Sequence, residues 1–303
     1  MIEIHSDAGL PWTGERYLPQ VDGAIELEHY HRYSLVLKAC ANKKVLDIAS
    51  GEGYGSHLIS SVASEVIGVD VSQEAVQHAT QKYTSQNLGF VCGSADSIPF
   101  PDGYFDVIIS FETIEHHDKH DESIAEYKRV LNPAGNLIIS SPNKLNYSDK
   151  VGYSNHYHIL ELYREELIAL IGKYFKNYEA YGQKVVMCSL IVNESGNGLE
   201  HWKDKSLTES FEPVYDLLVA GDSELYSFKN SFFELTHSTG VDYVSYMQKI
   251  EVENFELSKK LEAEKMNASL QIVHRDELIK DLHSRLQRPL VRFVDKICHL
   301  LGL

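Results

Sequence analysis

The sequence predicts a doubly wound α/β domain on a mostly parallel seven-stranded sheet, followed by a long coiled-coil helix. Three observations predict it. From Lys43 to about Ser223, short apolar runs alternate with longer amphipathic ones, the pattern of βαβ units. A glycine-rich turn, Gly51-Glu52-Gly53-Tyr54-Gly55, follows the first of those runs. No Gly or Pro interrupts residues Val241 to Arg288, where apolar residues recur every three or four positions.

Five runs read as buried parallel strands, being short, β-branched and bounded by turn residues: Lys44–Ile48, Val66–Asp70, Phe90–Cys92, Val107–Ser110 and Leu137–Ser140. Helices are expected at Ser72–Tyr83, with Ser72 near the N-cap, at Lys119–Leu131 and at Glu161–Phe175. Two further runs, Val185–Val192 and Val214–Ala220, are expected to close the sheet as a β-hairpin with a long insertion. The domain then spans residues 1–225, with 1–42 as an N-terminal lid or helix, and residues 226–240 are a linker. A seam of Met247, Ile250, Asn254, Leu257 and Leu261, resuming as Ile272, Ile279, Leu282 and Leu286, makes residues 241–287 a candidate coiled coil, dimeric or trimeric, with Asn254 setting register. The alternative is a long surface helix on its own domain. Residues 288–303 set Leu290, Phe293, Val294, Ile297 and Leu301 opposite Arg288, Arg292 and Lys296. Such a face suits a membrane interface or, equally, a cap on the coil or a docked partner.

The 303 residues carry 28 Lys and Arg against 44 Asp and Glu, a net charge of −16. That charge repels a phosphate backbone, so nucleic acid is not an expected partner. Cys40, Cys92, Cys188 and Cys298 form no close pair, which points to a reducing, cytoplasmic setting rather than a disulfide framework or a Cys-rich zinc site. The opening MIEIHSDAGLPW is unlike a cleavable signal, and no 18 apolar residues stand together. A cytoplasmic protein is expected, peripheral at the inner face of the membrane if the tail binds there.

The glycine turn lets a backbone approach a ligand closely, and Asp70, at the end of the second strand, can take two ribose hydroxyls. Asp47 and Glu52 disfavour a pyrophosphate and favour a cationic ligand carrying a ribose. After the fourth strand, Glu112, Glu115 and His116 stand at i, i+3 and i+4. Two carboxylates and an imidazole suit an octahedral Mg²⁺ or Mn²⁺. Alternatively, the two glutamates cap a helix and His116 packs in the core. His117 or His156 is the candidate proton acceptor, and without a metal His116 or His117 is the candidate catalytic base.

Residues 43–143 resemble class I S-adenosylmethionine-dependent methyltransferases. The resemblance rests on Asp47-x-x-x-Gly51-x-Gly53, Asp70, Gly93–Phe100, Phe105–Ile108 and Leu131–Gly135, in order. It implies that S-adenosylmethionine is the cofactor, with Gly51 and Gly53 at its methionine, Asp70 at its ribose, and Ala95 with Asp96 at its adenine. Val71 and Phe111 complete the expected pocket, Arg16 is placed to meet the methionine carboxylate, and Tyr33 to cover the methyl donor. Ser94, where many relatives carry Asp, and Ala49, in place of the usual first glycine, depart from the pattern. The Glu112-x-x-Glu115-His116 block is similar to that of metal-dependent O-methyltransferases of the catechol and small-RNA types; by resemblance to the latter, His158 is the fourth ligand.

The long helix and tail give a layout similar to chain-terminating methyltransferases of bacterial O-antigens, since about 45 helical residues span roughly 65 Å. That implies a sugar hydroxyl of a surface polysaccharide or lipid-linked glycan as acceptor, and a glycosyltransferase partner. The alternatives are a quinone or natural-product O-methyltransferase whose coil only oligomerises it, and a non-catalytic scaffold.

Overall fold

Each of the five β-branched runs lies in a strand: β1 (Lys44–Ile48), β2 (Glu65–Asp70), β3 (Leu88–Cys92), β4 (Phe105–Phe111) and β5 (Leu131–Pro142). All neighbours among them are parallel. With β6 (Asn177–Gln183) and β7 (Tyr215–Gly221) they form one seven-stranded sheet in the order β3-β2-β1-β4-β5-β7-β6. β7 is antiparallel to both β5 and β6, so the sheet is mixed. Chain order reverses between β1 and β4, which opens a crevice over their carboxyl ends. The computed structural model describes residues 18–19, 23–186, 211–231 and 233, then 256–269, 271–272, 274–282, 285, 292 and 296. The chain divides into two compact units, Met1–Leu235 and Thr236–Leu303.

Successive strand residues point to opposite faces, so Val45 and Leu46 enter different cores. On one face, α1 (Ala24–Cys40) and α2 (Tyr54–Ser60) bring Tyr33, Val36, Cys40 and Ile59 against Val45, Ile109 and Val219. On the other, α4 (His120–Val130) and α5 (Arg164–Tyr174) bring Ile124, Tyr127, Leu167 and Ile171 against Leu46, Ile108 and Leu137. Between β2 and β3, α3 (Gln73–Lys82) begins at Ser72, whose hydroxyl accepts the amide of Ala75 at 3.2 Å. That N-cap satisfies one of the helix's orphan donors.

The antiparallel closing pair forms, but its first strand is Asn177–Gln183 rather than the apolar run at Val185–Val192. β6 is an edge strand with no fully buried residue, so it needs no continuous apolar run, and its Asn, Glu and Gln concealed it. Lys184 to Val186 lie outside any strand, and residues 187–192 lie outside the described residues. The described part of the second unit is helical and leaves Leu257, Leu261, Ile272, Ile279 and Leu282 exposed. Met247, Ile250, Asn254, Leu286 and the apolar residues of the tail lie outside the described residues. Among the described residues, no helix is long and apolar enough to cross a membrane.

α1 and α2 meet at Gly55, where an added Cβ would stand 2.1 Å from the Tyr33 ring. Gly55→Ala is expected to lower unfolding stability by about 1–3 kcal/mol through overpacking, measured by urea denaturation.

Candidate active site

The glycine-rich turn sits at the carboxyl end of β1, on the crevice. Ala49, Gly51 and Gly53 all have positive φ, at 55°, 55° and 95°. At Gly53 a side chain is barred twice, since a Cβ would also fall 2.7 Å from Ala79 and 2.9 Å from Phe90. Ala49 carries a real strain, because a Cβ in the left-handed region costs about 1–2 kcal/mol.

Asp47 is fully buried beneath this turn and accepts hydrogen bonds from Ser56 Oγ at 2.5 Å and Tyr33 Oη at 3.2 Å. Asp70 accepts the amide of Gly51 at one carboxylate oxygen and that of Ser72 at the other, both at 2.8 Å. It thereby ties the first turn to the start of α3. Glu52 does not face a ligand, contrary to the sequence argument. It is buried and turned to α3, where Lys82 Nζ at 2.6 Å, Tyr83 Oη at 2.8 Å and His78 Nε2 at 3.1 Å surround it.

Of the other expected cofactor residues, Phe111 is buried at the end of β4, edge-on to Tyr33 with ring centroids 5.2 Å apart. Val71 is 76% exposed directly after Asp70. Ala95 packs against the core from the loop after β3, and Asp96 is held by Lys119 Nζ at 2.5 Å and by Ser94 Oγ. Those two donors hold the Asp96 carboxyl down at about 2. Arg16 lies outside the described residues.

Beyond β4 the chain turns sharply at Glu112, whose φ is +48°, into a 3₁₀ turn at Ile114–His116. The backbone oxygen of Glu115 accepts the amides of Ile159 and Leu160 at 2.8 and 3.1 Å. These bonds dock the distant 155–160 loop and set His158 beside His116, with ring centroids 5.2 Å apart. One ligand atom each from Glu115, His116 and His158 lies within 4.8 Å of the others. His116 Nδ1 donates to the carbonyl of Tyr157 at 3.1 Å, and His158 Nδ1 to Glu161 at 2.5 Å. With Nδ1 the donor, His158 Nε2 accepts from Asn155 Nδ2 at 3.0 Å. Glu115 is 1% exposed and neither of its carboxylate oxygens has a hydrogen-bond partner. Burial and the nearby Glu112 push its carboxyl well above the ordinary carboxylate range.

The fourth expected ligand stands apart. Glu112 accepts from Ser140 Oγ at 2.6 Å and lies 3.8 Å from the guanidinium of Arg32, which α1 buries. His117, the expected base, faces α4 instead: its Nε2 is 3.4 Å from Ser123 Oγ, and burial lowers its pKa. Sequence reasoning missed Arg32, Ser140 and Tyr147, which stacks on His158 at 5.5 Å. Glu161, three residues after His158, was readable as its partner; a buried arginine in α1 leaves no such signal.

Burial raises the Asp47 carboxyl from 3.8 to about 7, outweighing its hydrogen bonds from Ser56 and Tyr33. A raised folded pKa contributes stability below the unfolded value that is lost as pH rises toward the folded one. The Asp47→Asn chain is therefore expected to lose less stability than the parent between about pH 4 and 7. The difference approaches about 1.4 kcal/mol per pH unit within that window, read from urea unfolding.

Residues 46–139 match the model of a family described as a methyltransferase domain. A probable S-adenosylmethionine-dependent methyltransferase of Mycolicibacterium smegmatis is 34% identical over 170 residues, covering 54% of this chain and 64% of that protein. The probable S-adenosylmethionine-dependent methyltransferase Rv3030 of Mycobacterium tuberculosis is 34% identical over 190 residues, 61% of this chain and 66% of the protein. The chain thus spans just under two thirds of the length of these relatives. Among solved structures, the YcgJ protein of Bacillus subtilis aligns over 65% of this chain and 100% of its own, at 20% identity and a TM-score of 0.49. Residues 46–139 are thus similar to a methyltransferase domain, and the sheet order and the glycine turn of the chain accord with that similarity.

Proposed function

We propose that the chain is an O-methyltransferase that moves the methyl group of S-adenosylmethionine to a sugar hydroxyl of a surface polysaccharide or lipid-linked glycan, with a divalent cation at the acceptor. The observation that carries this reading is the cluster of Glu115, His116 and His158 at the carboxyl edge of β4, with a buried carboxylate that no other group satisfies. An orphaned buried carboxylate beside two imidazoles is a set of groups that a cation could satisfy, with Asn155 displaced from His158 Nε2.

Bound there, the cation would supply a Lewis acid that orients an acceptor hydroxyl and favours its alkoxide. The chain's own residues do the rest. Asp70, Gly51 and Gly53 hold the cofactor, and Tyr33, fastened to Asp47, keeps α1 over it. Tyr147, stacked on His158 and 5.8 Å from the rings of both Tyr153 and Tyr215, presents an aromatic wall on which a sugar ring can lie. Methyl transfer forms an oxygen–carbon bond as the carbon–sulfur bond breaks, the electron pair going to sulfur and the hydroxyl proton to solvent water.

The second unit supports a homo-oligomer. Seven large apolar side chains are exposed along its described helical residues, and a helix with so many is stabilised by burying them against another copy. In this reading the coil spaces the sites from a membrane surface that the basic tail touches, where a glycosyltransferase delivers the glycan.

Methyl-labelled S-adenosylmethionine with isolated lipid-linked polysaccharide tests the acceptor. Label in the glycan fraction is expected, and label only in an added catechol or quinone would move the acceptor to small molecules. Glu115→Gln is expected to slow transfer about 100-fold, equivalent to roughly 2.7 kcal/mol of lost transition-state stabilisation. Leu257→Glu combined with Leu261→Glu is expected to reduce the mass measured by light scattering to that of one chain.

A further inference from the structure

On the face of the sheet that α1 and α2 cover, those two helices and the chain just after α3 leave a cleft of about 380 Å³ between them. Pockets that hold small ligands begin at roughly 300 Å³. The cleft shares no residue with the Glu115, His116 and His158 cluster. One wall is the Tyr83 ring stacked on His57, with centroids 4.7 Å apart, and another is Tyr30 against Tyr54 at 5.6 Å. Ser60, Ser61 and Ser85 line it between these rings. Among the described residues, no Asp, Glu, Lys or Arg lines it.

That lining excludes ligand classes by charge. A phosphate or carboxylate would find no lysine or arginine to pair with. An ammonium would find ring faces but no carboxylate in the lining. Glu52, which Tyr83 Oη reaches at 2.8 Å, is buried and already met by Lys82 Nζ at 2.6 Å. What fits is a neutral ligand with a flat apolar face and hydroxyls around its edge, the chemistry of a sugar ring. The serines set the direction of the hydrogen bonds. Ser60 Oγ donates to the His57 carbonyl and Ser61 Oγ to that of Leu58, both at 2.7 Å, while Tyr83 Oη donates to Glu52. Each of these hydroxyls has committed its one proton and offers lone pairs, so the cleft suits a ligand that donates O–H groups.

We propose that this cleft is a second glycan subsite, which holds a neutral sugar residue of the polymeric acceptor apart from the residue that is methylated. This rests on the glycan reading above and extends it to the length of the acceptor. The Tyr54 ring stands edge-on to Tyr33 at 5.3 Å, and Tyr33 meets Phe111 in the same way. A chain of contacting rings therefore runs from the cleft to the end of β4. Two attachments to one polymer raise the effective concentration of the acceptor hydroxyl without touching the transferred methyl group. The subsite accordingly acts on KM and leaves kcat unchanged.

The test immobilises polysaccharide released from its lipid and measures binding of the full chain by interferometry, without S-adenosylmethionine. Steady-state methylation of the same polysaccharide and of its constituent monosaccharides runs alongside. His57→Ala removes the ring stacked on Tyr83, and Ser61→Trp fills the cleft from an exposed position. Each is expected to weaken polysaccharide binding about 10-fold and raise its KM by a similar factor, with kcat and monosaccharide KM within about twofold of the parent. Ser61→Trp serves if His57→Ala does not fold. Parental binding and KM in both variants overturn the subsite and leave the glycan acceptor standing. Failure of the parent chain to bind the polysaccharide overturns the subsite even where label enters the glycan. Binding that both variants weaken, with no label in the glycan, leaves the subsite standing and overturns the glycan as methyl acceptor.

Discussion

The carboxylate of Asp47, sealed beneath the glycine turn, is the point on which the site depends. Ser56 reaches it from the first turn of α2, and Tyr33 reaches it from α1. Strand, turn and both covering helices therefore share one buried acceptor. Removing such a group from water is unfavourable, and here that cost appears as a carboxyl raised to about 7. The Tyr33 ring also fills the space that Gly55 leaves and meets Phe111 edge-on, so one side chain bridges the cofactor turn and the end of β4.

α1 is anchored a second time. One residue before Tyr33, Arg32 enters the crevice and holds Glu112 at the first position after β4. The backbone there has a positive φ that disfavours a side chain, and the hydrogen bond from Ser140 with the charge pair to Arg32 offsets that strain. Glu28, further along the same helix, accepts the Tyr215 hydroxyl at 3.0 Å, and burial raises its carboxyl to about 7. The segment expected as a lid or helix is thus, over Ala24–Cys40, a helix that buries the charged side chains of Glu26 and Arg32.

The central parallel strands β1, β4 and β5 were legible because they are buried on both faces and so read as largely apolar runs, as at Leu137–Ile139. β6 was not, because an edge strand is free of that constraint. In the site, spacing alone brought Glu115 and His116 together, since three residues of 3₁₀ turn enforce it. His158 joined them through a resemblance, and the structure shows the physical means, two backbone bonds to the Glu115 carbonyl. What sequence spacing could not reveal was competition: Glu112 had the right interval for the cluster, but its carboxylate is claimed by an arginine eighty residues away in the chain. Glu52 was misread for the same reason, its charge being used by α3 rather than offered to a ligand.

If Asp47 couples the cofactor turn to α1, then occupying the site should order both at once. Hydrogen exchange of the full chain with and without S-adenosylmethionine tests this directly. The account predicts joint slowing of exchange in residues 50–56 and 29–36, and loss of the slowing in α1 alone when Tyr33 is replaced by Phe. Protection confined to the turn, with α1 unchanged in a chain that binds the cofactor, would contradict it.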